Sequence, residues 1–113
     1  MGNIRIDIKN PAATTRRIAN AIQNKVIPVV AEQILTDSNT YVRMQDGTLA
    51  NSAHTEAKGR RIVWSTRYAK KVYYIGIPRT NRNPLASLRW FEKAKRNHLG
   101  EWIAQANELT RRL

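Results

Sequence analysis

Residues 60–76, Arg-Arg-Ile-Val-Trp-Ser-Thr-Arg-Tyr-Ala-Lys-Lys-Val-Tyr-Tyr-Ile-Gly, constrain the fold more than any other stretch. Ile62, Trp64 and Thr66 alternate with Arg61, Val63, Ser65 and Arg67, as a strand with two unlike faces requires. After Arg67 the period changes. Tyr68, Val72 and Ile75 recur at helical intervals, so a short helix is expected before Gly76. The stretch holds one of the three tryptophans, three of the four tyrosines, five basic residues and no acid. A strand that feeds a basic, tyrosine-rich helix is a place for contact with something acidic.

The flanking sequence supplies what such a strand packs on. Ile4, Ile6 and Ile8 alternate with Arg5, Asp7 and Lys9, giving a second short strand or an arm that adds to a neighbour's sheet. Asn10-Pro11 reads as a helix start. Ile18, Ile22, Val26, Val30 and Ile34 then form an apolar stripe at four-residue steps. Pro28 interrupts this helix, and a kink or break is expected at 25–27. Asp37-Ser38-Asn39-Thr40 is a polar stop. Thr48 to Ser52 can form one helical turn. Lys58-Gly59 reads as a tight connection that pairs residues 52–57 with 60–66 as an antiparallel hairpin. Asn83-Pro84 repeats the cap-plus-proline signature. From there Leu88, Phe91, Lys95, Leu99, Trp102, Ala106, Leu109 and Leu113 mark a helix of about 45 Å if it runs unbroken to the end. The expected fold is α+β: a small antiparallel sheet packed by a kinked N-terminal helix and a long C-terminal helix, in a single domain over residues 1–113. Trp64, Tyr68, Trp90, Phe91 and Trp102 are its expected aromatic core.

Charge is distributed unevenly. Residues 1–57 carry six basic and five acidic side chains, and residues 58–113 carry fourteen and three. Nearly all of the net +12 therefore belongs to the second half. That asymmetry favours polyanions or acidic protein faces as partners. Arg61, Arg67, Lys70, Lys71, Arg79 and Arg82 are the candidate contacts with DNA or an acidic partner, through phosphates or carboxylates and without base reading.

Other chemistry finds little support. There is no cysteine, which removes disulfides and thiolate metal sites. His54 and His98 fall in different elements, each with a nearby glutamate, and two groups do not make a metal site. No nucleophile elbow or phosphate-cradling glycine loop occurs. No catalytic residue, cofactor or metal is expected. No apolar run approaches the roughly 20 residues that span a bilayer, and the N-terminus lacks an apolar signal core, so no membrane association is expected.

Three ordered blocks carry a family resemblance. Tyr41 to Ser52, with Gly47, Leu49 and Ser52, is the first. Ile62 to Ala69, followed by Tyr73, Tyr74 and Gly76, is the second. Asn83-Pro84 followed by Trp90-Phe91-Glu92-Lys93-Ala94-Lys95 is the third. Together they resemble the small minor capsid or head–tail connector proteins of tailed bacteriophages. Two positions depart from that pattern: Arg43 and Arg67 stand where the resemblance leads one to expect proline. The resemblance implies a structural virion protein, made in the bacterial host cytoplasm, that assembles as a homo-oligomeric ring at the neck. Its implied partners are portal, neck or tail proteins, with non-specific contact to packaged DNA. Two other readings fit the charge and size: a free-standing basic nucleic-acid-binding module, and a small RNase toxin acting through His54 or His98.

Overall fold

A three-stranded antiparallel sheet holds the strand of the opening stretch at its centre, in the order β1-β3-β2. The computed structural model describes residues 3–8, 16–42, 47–75 and 83–113. The Asn10-Pro11 helix start, Arg43, Gly76, Arg79 and Arg82 lie outside the described residues. β1 is Ile4–Asp7, β2 Ala53–Glu56 and β3 Arg61–Trp64. The helices are α1 Arg16–Ala21, α2 Ile27–Asn39, α3 Thr48–Asn51, α4 Ala69–Ile75 and α5 Trp90–Arg111. The architecture is α+β, with a small sheet and a long C-terminal helix.

Strand register follows the alternation in sequence. Ile4, Trp64 and Ala53 align across the sheet, as do Ile6, Ile62 and Thr55, on the face turned to the core. Arg5, Val63 and His54 form a row on the opposite face, beside a row of Asp7, Arg61 and Glu56. Ile62 and Trp64 are completely buried. The N-terminal strand thus pairs with β3 of its own chain, where an arm reaching a neighbour was the other expectation.

The interruption at Pro28 takes a specific form. Residues Ile22–Val26 form a π-turn between α1 and α2, closed by a bond from the Ile27 N–H to the Ile22 carbonyl. Proline lacks the N–H for the usual ladder, and its ring crowds the carbonyl four residues back. Widening the turn relieves both. Pro28 then sits in the first turn of α2, where a missing N–H costs nothing.

The β2–β3 hairpin seats against this site. Its connection, Ala57–Gly59, has positive φ at three successive residues, 54° at Ala57, 57° at Lys58 and 86° at Gly59. Left-handed backbone costs about 1–2 kcal/mol at each non-glycine residue. A Cβ on Gly59 would stand 2.6 Å from the Pro28 Cα. The Gln23 side chain adds a bond to the Lys58 carbonyl at 3.3 Å. Gly59 therefore answers two demands, positive φ and contact with the helix backbone.

The long helix starts later than expected. Asn83 takes no helix cap. Its Oδ1 accepts the Leu85 N–H at 3.1 Å, and its Nδ2 donates to the carbonyls of Thr40 at 2.9 Å and Val42 at 2.8 Å. Residues 83–89 are thereby fastened to the end of α2, and helix begins at Trp90 after Arg89 turns left-handed (φ 50°). Its 22 residues span about 33 Å. Trp90, Ala94 and Trp102 are its buried residues, whereas Leu99 and Leu113 of the expected stripe are exposed.

Two tryptophans close the core with their indole N–H groups. Trp64 donates to Asn39 Oδ1 at 2.9 Å, and Trp102 donates to Asp37 Oδ2 at 2.7 Å. Trp64 and Trp90 meet edge to face at 5.7 Å, and Tyr73 meets Trp90 likewise at 4.7 Å. Phe91, partly buried, stacks on Trp102 at 6.2 Å. Tyr68 corrects the expected core list: it is 38% exposed, and Tyr73, 3% exposed, fills the place assigned to it.

Two substitutions in the hairpin should have opposite signs. Gly59→Ala is expected to lower stability by about 2–4 kcal/mol in urea unfolding, because strain and collision add. Lys58→Gly is expected to raise it by about 0.5–1 kcal/mol by relieving a left-handed lysine. Asp37→Ala strands the buried Trp102 N–H and should cost about 1–3 kcal/mol by the same measurement.

Candidate functional site

The first candidate feature is the corner where β3 turns into α4. The Ala69 N–H bonds to the Thr66 carbonyl at 3.2 Å and the Val72 N–H to the Tyr68 carbonyl at 3.0 Å, which starts the helix directly after the strand. Ala69, Val72 and Tyr73 face the core. The Arg89 N–H donates to the Tyr73 carbonyl at 2.8 Å and ties this short helix to the approach of α5. Anchored by these residues, α4 must turn Lys70, Lys71 and Tyr74 outward, with Arg67 at its foot. All four are exposed. The Arg89 guanidinium lies over the Tyr74 ring at 5.6 Å, a cation–π contact that extends the basic surface to α5. Burial, joined by the nearby Glu92 carboxylate, pushes the Tyr73 hydroxyl up to about 12. Tyr73 therefore stays neutral and serves packing.

The structure separates the predicted contact residues. Arg67, Lys70 and Lys71 come together, and no acid of the described residues bridges to them. Arg61 does not join them. It lies on the outer sheet face between Asp7 (3.2 Å) and Glu56 (3.8 Å). Its charge is already shared by two carboxylates, which makes it a poor site for a new anion. Arg79 and Arg82 fall outside the described residues.

The acids explain why the corner stays cationic. Seven of the eight acidic residues are described, and each has a partner. Asp7 and Glu56 hold Arg61, and Glu56 also bonds His54. Glu32 accepts from Thr55, Asp37 from Trp102, and Glu92 faces Arg89. Glu101 bonds His98, and Glu108 pairs with Arg111 and Arg112. Glu92 comes near α4 at Tyr73, but among the described residues no acid pairs with Arg67, Lys70 or Lys71.

Both histidines are held by local bonds. His54 Nδ1 meets the Ser52 carbonyl at 3.0 Å, and its Nε2 meets Glu56 Oε2 at 2.8 Å. Two acceptors face the two ring nitrogens, so the doubly protonated ring is favoured. The Ser52 carbonyl first, then the Glu56 carboxylate, hold the His54 pKa above its ordinary value. His98 belongs to a chain of bonds: Asn97 Nδ2 donates to the Tyr41 hydroxyl (3.1 Å), which lies 3.0 Å from His98 Nε2. His98 Nδ1 lies 2.8 Å from Glu101. The fold does not gather the two rings into one site. Among the described residues no three His, Cys, Asp or Glu side chains could hold a metal ion, and no helix is long and apolar enough to cross a membrane.

Sequence reasoning missed the Arg61 clamp, the Tyr74–Arg89 stack and the role of Asn83. Alternation alone put Asp7, Glu56 and Arg61 on polar strand faces, but only the register brings them side by side. Asn83 carried the same Asn-Pro signal as a helix cap, and that signal serves a turn equally well.

The His54 geometry sets a pH dependence. A raised folded-state pKa contributes stability that is fully present below the unfolded value and lost as pH rises through the folded value. The stability difference between wild type and His54→Gln should therefore be larger near about pH 5.5 than near about pH 8.5 in urea melts. Because His54 is 44% exposed, the effect is small. An unchanged difference would remove it.

Comparison with known proteins extends over nearly the same residues. A family model described as "Minor capsid protein" matches residues 3–109, from β1 through most of α5. No curated protein and no solved structure matches the chain.

Proposed function

The chain belongs to the phage minor capsid protein family, and on that premise we propose that it works at the neck of a tailed-phage virion. Its task is to join or complete head and tail through protein contacts, as a ring of identical copies against portal, neck or tail proteins. No catalysis is assigned to it. One observation supports this reading best: among the described residues the cationic corner of Arg67, Lys70 and Lys71 has no acidic counterpart on the same subunit, since every described acid is engaged elsewhere. Among the described residues, copies of this chain therefore offer each other no unpaired acid. The corner must meet something else, either packaged DNA in the channel or the acidic surface of a different protein. Arg79 and Arg82 follow α4 in sequence and are proposed to serve the same contact. Arg67, like Arg43, occupies a position where the family pattern leads one to expect proline, and of the two it is the one that stands in this corner.

Two experiments test the reading. Binding to random duplex DNA should weaken steeply with salt, with a log–log slope of about −0.9 per phosphate neutralised. Replacing Arg67, Lys70 and Lys71 with glutamate should make that slope shallower by about 2.7. Absence of binding even at low salt assigns the corner to a protein partner. The structural role is tested in the phage itself. A stop codon early in this gene should yield heads and tails that fail to join, seen by electron microscopy. Normal virions from that mutant would refute the neck role, and DNA binding without incorporation into particles would favour a free-standing nucleic-acid module.

A further inference from the structure

A groove of about 680 Å³ lies where the start of α1 stands beside the end of α5. Arg17, Ile18 and Ala21 line one side with Lys25 of the π-turn, and Arg111 and Leu113 line the other. The two helices are joined next to it by Ile22, Val26 and Ile27, which pack with Ala106 and Leu109. Ile18 is 45% and Leu113 47% exposed, so apolar side chains stand open on both sides. The π-turn sets one of the cations. Eight residues of regular helix carry a side chain about 80° around the axis, which would turn Lys25 away from Arg17. A π-turn takes an extra residue to close. It holds Lys25 on the Arg17 side, and both line the groove.

Charge selects the occupant. Among the described residues no acid lines the groove, and neither Arg17 nor Lys25 has an acidic partner. Arg111 shares Glu108 with Arg112. Arg16 and Arg112 are exposed beside the lining residues. Even with the Leu113 carboxylate counted beside Glu108, cations prevail at this end of the molecule. The chain itself supplies no answer. Residues 9–15, which lead into α1, contain no acid, and Asp46 is the single acid outside the described residues. A second copy is no better suited, because it brings the same engaged acids. Phosphates of a nucleic acid would satisfy the cations but leave Ile18 and Leu113 without a partner. We propose that the groove binds an acidic segment of a different protein. That segment sets an apolar side chain between Ile18 and Leu113 and carboxylates against Arg17, Lys25 and Arg111. The groove lies at the end of α5 remote from α4, which is tied to the start of that helix. The contact is therefore separate from the cationic corner and does not rest on the neck reading.

Titration of the nitrogen-15-labelled full chain with the capped peptide Asp-Glu-Leu-Glu-Asp tests it by NMR. Amide signals of residues 17–25 and 110–113 should move and approach saturation by about 1 mM peptide, as a short segment in a small site binds weakly. Arg17→Glu combined with Lys25→Glu should weaken binding about five- to twentyfold, with the dispersion of the spectrum retained because both side chains are exposed. Arg5→Glu combined with Lys95→Glu makes the same change in net charge away from the groove and should alter binding less than about twofold. A peptide with serine in place of leucine should bind at least about fivefold more weakly, since it has nothing to bury between Ile18 and Leu113. The proposal is overturned if no signals move, if they move at α4 instead, or if the two double exchanges weaken binding equally. It is also overturned if the serine peptide binds as well as the leucine one, or if a short DNA duplex moves the same signals at lower concentration.

Discussion

The structure depends on the polar end of α2, where Asp37 and Asn39 each receive an indole N–H from the core. A buried indole without an acceptor costs about 1–3 kcal/mol, so the two bonds fix where both tryptophans can sit. Trp102 places α5, and Trp64 places β3. Asn39 also donates to the Ala50 carbonyl at 3.2 Å and holds α3. The backbone then takes over. The last helical carbonyls, of Asp37, Ser38 and Asn39, accept from the N–H groups of Thr40, Tyr41 and Val42, whose own carbonyls accept from Asn83 and Ser87. Five residues thus gather four separate segments. The sequence Asp-Ser-Asn-Thr looks like a polar stop, and it is one. It stops α2 with groups that three other elements need.

The other end of α2 works by space rather than by bonds. The π-turn at Ile22–Val26 removes the conflict that Pro28 would create, and Gly59 occupies the room beside the proline. Backbone touches backbone, so neither residue tolerates added bulk. The hairpin accepts two strained residues, Ala57 and Lys58, to reach this position. Once β3 is set by Gly59 at its start and Trp64 at its end, the direction in which the chain leaves for α4 is set as well. The exposed cations of α4 are thus positioned by contacts at the opposite ends of one four-residue strand.

Much of this was legible in the sequence, and the failures have physical causes. Strand alternation, the Lys58-Gly59 connection, the interruption at Pro28 and the single turn at Thr48–Asn51 all correspond to observed elements. The aromatic assignment slipped at Tyr68 because the helical count began inside the turn at 65–68. With helix starting at Ala69, the inward phase falls on Ala69, Val72 and Tyr73, and Ile75 is left 71% exposed. On α5 every apolar residue at helical spacing was counted as core. Spacing cannot tell a face that packs within the subunit from one left over, and Leu99 and Ile103 sit on the second kind. Arg61 looked free because its partners lie 54 residues before it and 5 residues before it in the chain, and only strand register joins them.

Charge decides what such a subunit can do beside its own copies. Many copies at +12 cannot share a ring unless the positive field is interrupted at the contacts or neutralised from outside. The described acids do neither for α4, because each is spent within the subunit on a histidine, an arginine, a threonine or an indole. The corner at Arg67, Lys70 and Lys71 leaves the field unopposed, which suits a polyanion that many copies contact at once: each added phosphate contact releases counterions, and neutralisation by one long partner serves all the subunits lining it. A small domain whose cationic corner is uncompensated among the described residues therefore has its charge free for a partner from outside the subunit.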